Sequence, residues 1–119
     1  VFEMETYRAD LHNVLSQLRE AAGPNTPIVL GTYGNPVPFC DLGAIPGAAE
    51  LGALLLEGAP GLDGLHDVIR QVAGVYDADV AEVFDQLGAG DFVGGADCLH
   101  PSDSGHDTVT EAFRALLAD

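Results

Sequence analysis

Pro27-Ile28-Val29-Leu30-Gly31-Thr32-Tyr33 is a short apolar run in which polar and apolar residues do not alternate. A strand with one wet face alternates, whereas a strand covered on both faces does not. The run therefore predicts a strand of a parallel sheet lying between helix layers. It leads into Gly34-Asn35-Pro36-Val37-Pro38, a turn-rich loop at the carboxyl end of the strand. Open α/β sheets form their ligand crevices at such ends. Asn35 reads first as a turn former and second as a candidate substrate contact.

Upstream, Met4, Tyr7, Leu11, Val14, Leu15 and Leu18 recur at three- and four-residue steps and predict an amphipathic helix over residues 3–22. Arg8, Asp10, His12, Arg19 and Glu20 fall mostly on its other side, with His12 a solvated residue. Gly23-Pro24-Asn25 stops it. Downstream, residues 41–60 admit either a short helix around 48–56, weakened by glycines, or a lid-like loop. Leu62, Leu65, Ile69, Val72, Ala73 and Tyr76 predict a helix over 62–76, with His66 at its surface or boundary. Residues 78–84 predict a second strand with partial alternation, and Asp77 and Asp79 read as solvated turn carboxylates rather than a catalytic pair. Gly88, Gly90, Gly94 and Gly95 predict a flexible loop that fails the spacing of a phosphate-binding loop.

The last helix is expected to start near Ser102, its N-cap, and to run to about Ala118. Val109, Ala112, Phe113, Leu116 and Leu117 would be buried, and Gly105 would let the helix approach the sheet closely. Strands alternating with helices predict an α/β fold with a parallel sheet. Two strands alone leave an apolar edge exposed, so the architecture reads as incomplete.

The 119 residues fit one domain, and the charge is lopsided: four Arg, no Lys, and 19 Asp plus Glu, a net charge of −15. Nucleic acid and anionic membrane surfaces are disfavoured as partners, because both demand clustered cations. Such acidity suits an exported or salt-exposed protein. No apolar run is long enough for a membrane span. The chain opens at Val1 without a signal peptide, which fits removal of an upstream segment. Cys40 and Cys98 make either a disulfide in an oxidising compartment or two buried thiols.

Ala96-Asp97-Cys98-Leu99-His100-Pro101-Ser102-Asp103-Ser104-Gly105-His106 carries the chemistry. Asp97 and His100, three residues apart on an expected tight loop, can meet as carboxylate and imidazole. The carboxylate would hold Nδ1–H, leaving Nε2 to take a proton from a reacting group. Cys98, His100, Asp103, His106 and Asp107 include possible metal ligands, but their spacing matches neither common zinc sites nor an EF-hand. No metal and no cofactor is expected. A third reading is a non-catalytic acidic interaction module, in which Asp97 and His100 merely close a loop and His106 packs as a first-turn helix residue.

Asp97, His100, Pro101 and Gly105 resemble the last sequence block of the SGNH (GDSL-type) esterases and lipases, Asp-x-x-His-Pro followed by a Gly-containing helix start. Tyr33-Gly34-Asn35-Pro36 is similar to the Tyr-Asn-Pro tract after the fourth strand of secreted members. The resemblance covers most of the chain, in the order of the C-terminal half of such a domain. It implies a flavodoxin-like, three-layer α/β/α fold with a parallel sheet, of which residues 1–119 hold only the C-terminal part. It further implies hydrolysis of carboxylic esters, of lipids or small molecules, with His100 as base and Asp97 as its orienting acid.

The family's nucleophilic serine, in Gly-Asp-Ser, and its oxyanion Gly and Asn have no counterparts here. Ser16, Ser102 and Ser104 are the only serines, and Asn13, Asn25 and Asn35 lack the Gly-x-Asn-Asp setting. The implied partner is thus the N-terminal half of the same domain, and the chain alone is expected to be inactive. The acidity and the cysteine pair lead to the expectation of a secreted or extracytoplasmic protein.

Overall fold

The structure, a computed structural model, describes residues 3–117. Helix α1 (Met4–Ala22) is followed by strand β1 (Val29–Gly31), 3-10 turns at Val37–Phe39 and Asp41–Ala44, and helices α2 (Ala48–Glu57) and α3 (Leu65–Val75). Strand β2 (Asp79–Ala81), a 3-10 turn at Phe84–Gln86, strands β3 (Phe92–Gly94) and β4 (Asp97–Pro101), and helix α4 (Asp103–Leu117) complete it. The fold is mixed α/β: β1 and β2 form a two-stranded parallel sheet, and β3 and β4 an antiparallel pair.

The apolar stripes of α1 and α3 meet at Leu15, Val68 and Val72, with Met4, Tyr7, Leu11, Ile28, Leu30 and Tyr76 packed around them. Val14 and Leu18 of the expected α1 stripe stay exposed. Arg19 fastens the end of α1, donating to the carbonyls of Gly23, Thr26, Tyr76 and Asp77. His12, expected to be solvated, is half-buried, its Nδ1 3.0 Å from the Tyr76 hydroxyl. The α1–α3 contact gives the ring a partner that no local pattern in α1 reveals.

Both parallel strands are shorter than the sequence predicts, and β1 is half-buried along its length. Leu30 joins the cluster of α1 and α3. A side chain at the next residue, Gly31, would run into the ring of Phe113 on α4. Successive strand positions face opposite ways, so the sheet meets helices on two sides. The pairing stops because Thr32 Oγ1 accepts from the amides of Val83 (2.9 Å) and Phe84 (3.2 Å), drawing the chain after β2 into a 3-10 turn.

Four further expectations are corrected in this part of the chain. Residues 88–96 are not simply a flexible loop: β3 and β4 form a hairpin there, and Asp97 and His100 stand on a strand. Gly94 (φ 79°) and Gly95 (φ 60°) supply the left-handed turn, while Phe92 is buried and stacks on Phe39. Helix α3 begins at Leu65, because the Asp67 carboxylate caps the Gly64 amide at 2.8 Å and Leu62 lies exposed in the turn before it. On α4, Val109, Ala112 and Phe113 are only half-buried, and Leu116 and Leu117 are exposed, since no element among the described residues covers that end. Gly105 does admit a close approach, but to the Asp91 carbonyl and to Pro101 at the end of β4 rather than to the parallel sheet.

Candidate active site

Asp97 opens β4 and uses both its oxygens. Oδ1 accepts from the amides of Leu99 and His100, each at 2.9 Å, which fixes the carboxylate on its own backbone. Oδ2 lies 2.9 Å from His100 Nδ1. Those backbone donors, followed by the imidazole, hold the Asp97 carboxyl down at about 2. An ionised Asp97 requires Nδ1 to carry the proton, so Nε2 is the free base position. Nε2 has no hydrogen-bond partner among the described residues, and the His100 side chain is 68% exposed.

His100 borders a cleft of about 760 Å³ at the carboxyl end of β1. Residues 31–37 form one wall, Leu55 and Leu56 of α2 a second, and Val83, Leu87, Phe92, Val109 and Phe113 fill the rest. Among the described residues no Asp, Glu or Arg lines it. A cleft of this size, apolar with one poised imidazole, suits an uncharged ligand that meets the base at its edge.

Asn35 lies in the cleft wall with both ends of its amide engaged. Nδ2 donates to the Ala49 carbonyl (3.0 Å), and Oδ1 accepts from the Val37 amide (3.2 Å). It makes the turn and ties that turn to α2. Residues 41–60 form a 3-10 turn and helix α2, whose Leu51, Leu54 and Leu55 are exposed.

Cys40 and Cys98 form a disulfide with Cα atoms 5.3 Å apart, joining the segment after the cleft wall to β4 beside His100. The Asp41 amide adds a 2.8 Å bond to the Gly95 carbonyl. As a disulfide sulfur, Cys98 is not available as a thiolate ligand. Among the described residues no three Cys, His, Asp or Glu side chains converge to hold a metal ion.

No serine reaches the base. Ser16 Oγ bonds the Asn13 carbonyl within α1. Ser102 Oγ donates to the Gly90 carbonyl (2.6 Å) and accepts from the Gly105 amide (3.3 Å), the capping role expected of it. Ser104 Oγ donates to Asp91 (2.5 Å), whose other oxygen accepts from the Gly88 amide. His106 is exposed on the first turn of α4.

His66, like His12, lies deeper than expected. Rather than sitting at the surface or boundary of the helix, it is 0% exposed. It extends the stripe that Ile69 and Ala73 continue three and seven residues on, so the helical period carried the signal. Its Nε2 accepts the Tyr33 amide at 2.9 Å, and Nδ1 faces Glu57 at 3.4 Å. No protein-family model matches the chain, and no curated protein or solved structure matches it.

Proposed function

We propose that this chain supplies the acid–base part of a serine ester hydrolase of the SGNH (GDSL) type, with His100 as general base and Asp97 as its orienting acid. The observation that carries the reading is the Asp97–His100 bond at 2.9 Å, which leaves Nε2 open beside an uncharged apolar cleft. General-base assistance of this kind is worth about 10²–10⁴-fold in rate. The nucleophilic serine and the oxyanion donors come from an N-terminal half outside this chain. On this reading the parallel pair, with α1 and α3 against one face and α4 against the other, is part of a flavodoxin-like three-layer sheet. The exposed Leu116 and Leu117 and the short β1 edge are where the remaining structure would pack.

The Cys40–Cys98 bridge supports an extracytoplasmic setting, where disulfides persist. No helix among the described residues is long and apolar enough to cross a membrane. A lipid or small-molecule ester is the substrate this cleft would accept.

The test is complementation. Residues 1–119 alone should not hydrolyse p-nitrophenyl esters. Joined to an N-terminal half carrying Gly-Asp-Ser, they should turn over and be labelled by a fluorophosphonate. Turnover by the isolated chain would overturn the division of labour. A joined protein that neither turns over nor takes the label would favour the second reading, a non-catalytic acidic interaction module. The exposed Leu51, Leu54 and Leu55 of α2 speak for that module.

A further inference from the structure

The Tyr33 amide lies two residues beyond the end of β1. Thr32 still donates to the Ala81 carbonyl of the neighbouring strand, at 3.0 Å, but Tyr33 has no strand partner. The His66 Nε2 lone pair takes its place at 2.9 Å. The ring that provides it is sealed, stacked near the Tyr33 ring with centroids 6.1 Å apart and edge-on to Phe84 at 5.4 Å. Tyr33 lies within the cleft wall, which continues through Asn35 to Val37. A histidine on α3 thus sets the backbone of a wall it does not itself line.

This arrangement works in one protonation state. Accepting the Tyr33 amide requires an unprotonated Nε2, so the neutral ring carries its proton on Nδ1, toward Glu57. An imidazolium bears N–H groups on both nitrogens. Its Nε2–H would point at the Tyr33 N–H, turning a hydrogen bond into two opposed donors in a buried place.

The charged and titratable groups around the ring are Glu57 at the end of α2, Arg70 on α3, Glu82 beyond β2 and the Tyr33 phenol beyond β1. Arg70 spans Glu57 (3.1 Å) and Glu82 (2.9 Å) and lies 3.5 Å from Asp67, so one guanidinium serves three carboxylates. Burial pushes the His66 ring toward neutrality, and Arg70 does likewise; Glu57 and Glu82 pull the other way. The net direction is down from the ordinary histidine value.

We propose that His66 is a positioning residue that holds the cleft wall over residues 33–37 while neutral and releases it on taking up a proton, with the β1–β2 pairing behind it intact. The cleft then has a shape set by pH through a residue outside it. This inference rests on the buried hydrogen bond and does not require the ester-hydrolase reading.

The test is a pH titration of the ¹⁵N-labelled full chain from 7.5 to 4.5, following the His66 ring nitrogens and the Tyr33 and Thr32 amides. The Tyr33 resonance should move with the His66 midpoint, below the ordinary value of about 6.5. Its exchange protection should fall about tenfold or more, as loss of one buried hydrogen bond implies, while Thr32 keeps its protection. His66→Gln, which keeps an acceptor but cannot titrate, should hold Tyr33 across the range. His66→Phe should leave Tyr33 unprotected already at pH 7.5; if it does not fold, wild type and His66→Gln decide. The proposal fails if Tyr33 ignores the His66 titration. It also fails if His66→Gln still releases Tyr33 in acid, or if Thr32 and Tyr33 lose protection together.

Discussion

Two carboxylate–histidine pairs adjoin the same cleft wall, one in water and one under the core. Asp97 and His100 stand on a hairpin, their side chains 31% and 68% exposed, bonded at 2.9 Å. Glu57 and His66 join two helices, with the ring fully buried and the carboxylate 3.4 Å away. In the first pair the carboxylate takes Nδ1 and leaves Nε2 in the open, where a proton can come and go. In the second, Nε2 is spent on the Tyr33 amide, and a proton can take its place only by breaking that bond. The same two groups therefore make a reagent in one place and a fastening in the other, and what decides is the partner of Nε2.

The largest expected effect separates the pairs by rate. In an assembled enzyme, Asp97→Asn should lower kcat by about 10⁴-fold through the wrong imidazole tautomer. Glu57→Gln should leave kcat within a small factor; an equal loss in both would break the distinction. Next is the tie that holds the exposed pair in place. Removing the Cys40–Cys98 bridge, which closes 58 residues, should cost about 4 kcal/mol in denaturant unfolding.

The third prediction reverses the first. His66→Ala should cost about 2–4 kcal/mol, from the cavity and the orphaned Tyr33 amide. His100→Ala, on an exposed side chain, should stay within about 0.5 kcal/mol.

The smallest effect is in acid, where the pairs should act in separate windows. His66 is depressed in the folded state, so the unfolded chain binds its proton first. Stability should fall as pH drops below the unfolded value of about 6.5 and level off under the folded one. Asp97 is depressed from 3.8 to about 2, so its contribution is intact above 3.8 and lost as pH falls toward 2. Glu82 and Asp91, lowered by Arg70 and by the Gly88 amide respectively, add to that lower window. Denaturation midpoints against pH should lose the upper step in His66→Gln and part of the lower one in Asp97→Asn.

Periodicity found α1, α3 and α4, because each carries an apolar stripe that recurs at three and four residues, and β1 and β2 showed as an apolar run and a partly alternating one. It overran both strands, since the Thr32 hydroxyl that ends the pairing binds residues some 50 positions away. The hairpin left no local pattern. Its strands are short and its turn is glycine, and its order comes from Phe39, the Asp41 amide and Cys40, all distant in sequence. For the candidate site, the three-residue spacing of Asp97 and His100 sufficed to bring the pair together. Their placement on a strand was not legible, because β4 is held by its pairing with β3 and by the bridge to Cys40 rather than by a local pattern. His66 was legible in the stripe and misread by residue type, since a polar ring in a buried row has a place only where a lone amide needs an acceptor.

The bridge between Cys40 and Cys98 spans the exposed stretch 41–47, the most open backbone between the cleft wall and α2. A protease that cuts there severs the polypeptide and leaves a single molecule. The fragment with His100 stays covalently attached to the one with the Tyr33 wall, and the two would part on a gel only after a reductant is added.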